Sequence, residues 1–231
     1  MPIELARIQA ICFDVDGTLS DTDDVWTDHV AGRLHPLARW LPNRDTRSFA
    51  RMLIMAAETP GNLAYTLLDW THLDAPLARL YNFLAKRQPN HKRRTFRLIN
   101  GVDSLLPALA QQYKLAVISA NNEANTLAFL DTYNLRPYFH CVATAMTCTH
   151  TKPFPDPVRW AAAQMEVRPE ACLMVGDTTV DIQSGRSAGA QTVGVLCGFG
   201  QEGELRRARA DLILEQTKDL AGLRGLIQQC G

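Results

Sequence analysis

Charge of one sign, long hydrophobic runs and paired cysteines are all missing from this 231-residue chain. Its 24 basic and 24 acidic side chains cancel, so no global field holds it on nucleic acid or an anionic membrane, and any functional charge must be local. Charged residues or turn formers break every apolar stretch before the roughly 18 residues needed to span a bilayer, which argues against membrane insertion. The opening MPIELARIQA carries Glu4 and Arg7 and no secretory pattern, so a cytoplasmic protein is expected. The six cysteines (Cys12, Cys141, Cys148, Cys172, Cys197, Cys230) form no CxxC pair, and several sit in apolar runs such as AICFDV and ACLMVG. They read as reduced, mostly buried thiols, not as a zinc site. Six histidines (His29, His35, His72, His91, His140, His150) are scattered without ligand spacing and read as structural or exposed.

What is present is 46% hydrophobic residues in a length that suits one large domain, or a main domain with a smaller insertion. Short apolar runs at Ile11 to Val15, Lys114 to Ser119, Cys141 to Ala145, Ala171 to Gly176, Thr192 to Leu196 and Asp211 to Leu214 read as buried parallel strands. Helical spacing falls between them, near Val102 to Gln112, Asn122 to Tyr133, Pro157 to Gln164, Val180 to Ala188 and Thr217 to Gln229. The alternation predicts a doubly wound α/β sheet.

One stretch breaks the pattern. From residue 21 to 97 no strand run occurs, and the segment holds Trp26, Trp40 and Trp70 with turn signals at Pro42-Asn43 and Thr59-Pro60-Gly61-Asn62. It reads as a helical unit inserted after the first strand, leaving residues 1–20 and 98–231 as the α/β core. Its end is basic, with Lys86-Arg87 and Lys92-Arg93-Arg94. No aromatic platform is interleaved there, so a solvated linker is expected in place of a nucleic-acid surface.

Polar residues end four of the hydrophobic runs, and in open α/β sheets the carboxyl ends of strands converge on one crevice. The first run ends in Asp14-Val15-Asp16-Gly17-Thr18; alternation directs both aspartates to one face, and Gly17 permits a tight reversal. Two carboxylates this close need a cation or a shared proton. The fourth run ends in Gly176-Asp177, with Asp181 four residues on. Oxygen ligands without histidine or thiolate partners favour Mg²⁺. Read alone, that segment is equally a helix cap. Ser119, with the amides of Ala120 and Asn121, and Lys152 in Thr151-Lys152-Pro153 supply an anion pocket opposite the cation.

These segments resemble the haloacid dehalogenase superfamily, chiefly its magnesium-dependent phosphatases: FDVDGTLSDT at Phe13 to Thr22, VISANN at Val117 to Asn122, TKPFPDP at Thr151 to Pro157 and VGDTTVDIQSGRSAGA at Val175 to Ala190. The resemblance implies a Rossmann-like core with an α-helical cap, similar to the subclass of phosphoglycolate phosphatases and β-phosphoglucomutases. It further implies Asp14 as nucleophile, Asp16 as acid and base, and Mg²⁺ held by Asp14, the main-chain carbonyl of Asp16, Asp177 and, directly or through water, Asp181. Ser119, Ala120, Asn121 and Lys152 would bind phosphoryl oxygens, and Thr18 would support the loop. The implied substrate is a small phosphorylated metabolite. Asp16 favours phosphate esters over the dehalogenase and phosphonate-cleaving branches, while Ser119-Ala120-Asn121 is also similar to the sugar phosphomutase pattern. A phosphatase, a mutase and a non-catalytic phosphate sensor remain open, as does the oligomeric state. The cap is expected to close over the site, with Glu58 to Asn62 equally a specificity loop or a plain interhelical turn, and Phe49, Tyr65, Phe83 and the tryptophans as cap core.

Overall fold

A computed structural model describes residues 3–21 and 96–222. The expected insertion, with its tryptophans, the Glu58 to Asn62 loop and the basic cluster, falls almost entirely outside these residues. The chain divides into two compact units, Met1–Asp23 with Phe96–Gly231, and Asp24–Thr95. The chain leaves and re-joins the first unit side by side: Asp21 N donates to Arg97 O at 2.7 Å and Ile99 N to Leu19 O at 3.0 Å.

Six strands, β1 (Ala10–Phe13), β2 (Lys114–Ile118), β3 (Cys141–Ala143), β4 (Cys172–Gly176), β5 (Gln191–Val195) and β6 (Leu212–Leu214), form one sheet in the order β3-β2-β1-β4-β5-β6. Every neighbouring pair is parallel. The helices α1 (Val102–Ala110), α2 (Glu123–Thr132), α3 (Asp156–Gln164), α4 (Thr179–Ala188) and the short α5 (Glu202–Arg207) lie between strands in sequence. The chain builds outward from β1 through β2 to β3, then returns to pair β4 on the other side of β1. That reversal is a topological switch point, and it separates the loops after β1 and β4, leaving a crevice at their carboxyl ends.

The central strands are apolar on both faces because both faces are covered. Ile11, Phe13, Leu115, Val117, Leu173 and Val175 pack in one cluster with Leu105, Leu106, Leu109 of α1 and Phe129, Leu130 of α2. Their neighbours in sequence, Ala10, Cys12, Ala116, Ile118, Cys172 and Met174, face the opposite cluster with Val158, Ala161 and Ala162 of α3. That second face is built from smaller side chains and admits a helix closely: a Cβ on Gly185 of α4 would lie 2.7 Å from Thr192 and 2.8 Å from Met174. The apolar spacing of α1, with Val102, Leu105, Leu106 and Leu109 buried, is the i, i+3, i+4, i+7 stripe that its sequence shows. Among the described residues no helix is long and apolar enough to cross a membrane.

β4 and β6 end where expected, while β1, β2, β3 and β5 stop one or two residues short, and the next residue can keep a ladder bond: Asp14 N donates to Val175 O and Ser119 N to Ala143 O, each at 2.9 Å. The helix expected over Thr217 to Gln229 opens as a 3₁₀ turn at Thr217–Asp219, and residues 223–229 lie outside the described part. The helix α5 was not expected; six residues with Leu205 as their one buried side chain give no periodicity to read, and a Glu202–Arg206 pair at 2.6 Å supports it. Cys12 and Cys172 are buried, whereas Cys141, Cys148 and Cys197 are only partly so; all five are free thiols, and Cys230 lies outside the described residues.

Phe129 is buried to 1% exposure and meets Phe96 and Tyr133 edge-on at 5.8 and 5.6 Å. Phe129→Ala is expected to lower unfolding free energy by about 3–5 kcal/mol in urea titrations, and a loss below about 1 kcal/mol would contradict this packing.

Candidate active site

β1 ends at Phe13, and the chain then turns through Gly17 at φ +77, a left-handed conformation that glycine adopts without a Cβ penalty. Asp14 is held at the sheet edge by its ladder bond and is 7% exposed. Asp14 and Asp16 were expected to share one face by strand alternation. The strand has already ended at Phe13, so alternation does not set their directions; the two carboxylates meet different partners, yet the Asp16 charge is near enough to push the Asp14 carboxyl up. Asp14 Oδ1 accepts from Lys152 Nζ at 2.6 Å, while Asp16 Oδ2 accepts from Asn121 Nδ2.

Across the switch point, β4 delivers Asp177 and α4 delivers Asp181, both fully buried. Asp177 Oδ2 accepts from the main-chain N–H of Phe199 at 2.7 Å. Asp181 sits at the third position of α4 and accepts from Thr178 N at 3.0 Å and Thr178 Oγ1 at 2.6 Å through Oδ2. Its Oδ1 accepts from Lys152 Nζ at 2.6 Å. The cap and the site are thus the same residue: one oxygen closes the helix start, as in a capping box, and the other faces the crevice. A Cβ on Gly176 would lie 2.3 Å from the Asp181 Cβ, so the glycine before Asp177 makes room for that turn.

Ser119 follows β2, is 4% exposed, and accepts from Asn121 N at 3.1 Å. That main-chain N–H, expected in an anion pocket, is therefore turned toward the Ser119 hydroxyl, and the Asn121 side chain toward Asp16. Ala120 between them is exposed. The Lys152 loop is tied down behind its side chain: Phe154 N donates to Thr151 O at 2.9 Å, and Ser184 Oγ of α4 donates to Phe154 O at 2.7 Å.

Asp14, Asp177 and Asp181 each offer an oxygen within 4.8 Å of the others, a spacing that can hold a metal ion. The Asp16 carboxylate is not part of that group among the described residues. Lys152, with its side chain only 4% exposed, bridges Asp14 and Asp181. Burial pushes the Asp14 carboxyl up from 3.8 to about 7, and the Asp181 and Asp16 charges add to this, while Lys152 pulls it down. Burial also works against the Lys152 ammonium, but Asp14 and Asp181 outweigh it and hold the pKa above its ordinary value. One ammonium thus serves two buried carboxylates of a group of three, an excess of hard anionic oxygens that suits a divalent cation such as Mg²⁺.

The sequence reading missed a fifth contributor, the turn after β5. Cys197 Sγ lies 3.4 Å from Gly17 O and from Thr217 Oγ1, and Thr217 Oγ1 donates to the main-chain Thr18 O at 2.6 Å. The signal was the glycine pair around Phe199 in VGVLCGFG, directly beyond a strand end.

Fold and site together define an α/β enzyme of the doubly wound class with an acidic centre at its switch point. A family model for haloacid dehalogenase-like hydrolases matches residues 11–195, and the chain belongs to that family. It is similar to the pyrophosphatase PpaX of Anoxybacillus flavithermus, at 28% identity over 220 residues that cover 95% of this chain and 98% of the relative. In fold it is similar to a provisionally assigned phosphoglycolate phosphatase from Haemophilus somnus, with TM-score 0.62, 22% identity and coverage of 94% and 98%. A provisionally assigned β-phosphoglucomutase from Thermotoga maritima gives TM-score 0.63 at 18% identity, with coverage of 95% and 100%.

Because the Asp14 carboxyl keeps its proton to about pH 7 when folded and only to about pH 4 when unfolded, its contribution to stability is present below pH 4 and lost as pH rises to 7. In chelator, Asp14→Asn is therefore expected to melt above wild type at pH 8, with the gap closing toward pH 4. Each kcal/mol corresponds to about 2–4 °C for a chain of this size. A variant melting below wild type at pH 8 would contradict the assignment.

Proposed function

We propose that this hydrolase is a Mg²⁺-dependent phosphatase of a small phosphate monoester, working through an aspartyl-phosphate on Asp14. The observation that carries the reading is the Asp14 carboxylate held 2.6 Å from the Lys152 ammonium within a buried group of three carboxylates. A carboxyl so buried, pushed up to about 7 with an ammonium against it, is an unsuitable scaffold element and a suitable nucleophile once ionised.

The donor set fits Mg²⁺: Asp14, Asp177 and the main-chain carbonyl of Asp16 would hold it, with Asp181 a direct or water-mediated ligand. When bound, the ion supplies positive charge that offsets repulsion between Asp14 and a phosphate dianion. In the first step an Asp14 oxygen attacks phosphorus in line, the bond from phosphorus to the leaving oxygen breaks, and Asp16 gives that oxygen its proton. In the second, Asp16 takes a proton from water, which attacks phosphorus and releases Asp14 with inorganic phosphate. Asn121 orients Asp16 for both transfers. Lys152, Ser119 and the main-chain N–H of Ala120 hold phosphoryl oxygens and the charge that builds on them. Because Lys152 already bridges Asp14 and Asp181, a phosphoryl group would meet a cation positioned in advance.

A sugar phosphomutase is the second reading, favoured by Ser119-Ala120-Asn121. The likeness to PpaX over 95% of the chain supports pyrophosphate as one of the first substrates to try. Purified protein is expected to release phosphate from an aryl phosphate, pyrophosphate or another member of a small phosphate panel with Mg²⁺ and to stop in chelator. Asp14→Asn should abolish turnover, and Asp16→Asn should lower it by about 10²–10⁴-fold. Undiminished release from Asp14→Asn, or release indifferent to chelator, would contradict the proposal. Conversion of a sugar 1-phosphate to its 6-phosphate without phosphate release would favour the mutase.

A further inference from the structure

We infer that the turn from Cys197 to Gly200 is a positioning element that aims the Asp177 carboxylate, through the main-chain N–H of Phe199, and so sets the cation affinity of the site. The inference rests on the reading of Asp177 as a cation ligand, and it assigns work to residues beyond the four acidic and anion-binding segments.

Three features converge on Asp177. The Phe199 N–H donates to Oδ2 at 2.7 Å, a charge-assisted bond from a group with no side-chain freedom of its own. Two glycines crowd that carboxylate and a third its backbone: a Cβ would lie 2.3 Å from Oδ2 at Gly17, 2.1 Å from Oδ2 at Gly198 and 1.7 Å from the main-chain oxygen of Asp177 at Gly200. Gly198 also approaches the backbone of the β1 loop, its Cβ position falling 2.6 Å from Gly17 O. The turn is in turn fastened: Leu196 N donates to Leu214 O at 3.0 Å, Cys197 Sγ lies 3.4 Å from Gly17 O, and Thr217 links Cys197 to Thr18 O.

A carboxylate with one oxygen fixed by a rigid donor has the direction of its other oxygen fixed too, without the entropy of ordering a flexible partner. Asp177 is fully buried, so the turn also excludes competing water from it. The glycines supply closeness and the amide supplies direction; Phe199 contributes its backbone, which is why any residue except proline preserves the contact.

The test is binding of Mn²⁺, read by electron paramagnetic resonance on the whole chain without substrate. Wild type should bind one ion at the site and Asp177→Asn should lose it; failure of either overturns the cation reading and this inference with it. Given that result, Phe199→Pro, which removes the N–H, should bind about 10–100-fold more weakly, the range for loss of a group that orients a metal ligand. Phe199→Ala keeps the N–H and should bind more tightly than Phe199→Pro. Equal weakening in both would assign the effect to the ring, and wild-type affinity in Phe199→Pro would overturn the inference while leaving the cation reading intact. Gly198→Ala displaces the same carboxylate by a second route and decides the matter if the proline variant does not fold: weaker Mn²⁺ binding at an unchanged KM for the ester in saturating metal supports the inference, and unchanged binding overturns it.

Discussion

Three carboxylates buried at one edge of a parallel sheet are the constraint on which the rest of this structure depends. Each buried ion costs several kcal/mol unless partners replace the water it loses. The chain provides those partners from separate segments. Lys152 bridges Asp14 and Asp181, the start of α4 satisfies the second oxygen of Asp181, and the turn after β5 presents an amide to Asp177. The compensation is incomplete, since Asp14 is still pushed up to about 7, and the shortfall is what a divalent cation would supply.

The topology explains why this charge gathers where it does. With the strand order reversing at β1, the loops after β1 and β4 diverge and leave their carboxyl ends facing one crevice. Small side chains on one sheet face let α3 and α4 pack closely, which fixes the start of α4 and with it Asp181. Glycine is used where the backbone itself must approach a carboxylate, at Gly17, Gly176 and Gly198. A fold arranged this way carries local destabilisation at Asp14, as sites held for function do.

Much of this was legible in the sequence because strands buried on both faces read as uninterrupted apolar runs. AICF, KLAVI and CLMVG announced the sheet, and the polar residues directly after them announced the crevice. Boundaries were less legible, since a ladder bond continues past the last strand residue at Asp14 and Ser119. The separate partners of Asp14 and Asp16 were hidden because period-two reasoning ends with the strand, one residue before the pair begins. Phe199 was hidden for a different reason: it acts through its main chain, and no side-chain type marks a backbone donor. Lys152 could be expected near an anion, but its place between two carboxylates depends on the packing of its loop on α4 through Ser184.

The central claim is that Asp14 carries the phosphoryl group, and chemical trapping tests it most directly. Protein turning over a phosphate ester with Mg²⁺ is quenched in acid and reduced with borohydride, which converts an aspartyl-phosphate to homoserine, and the modified residue is located by peptide mass spectrometry. The account predicts homoserine at position 14 only when ester is present. Turnover with no reduced aspartate, or with the label at another residue, would contradict it.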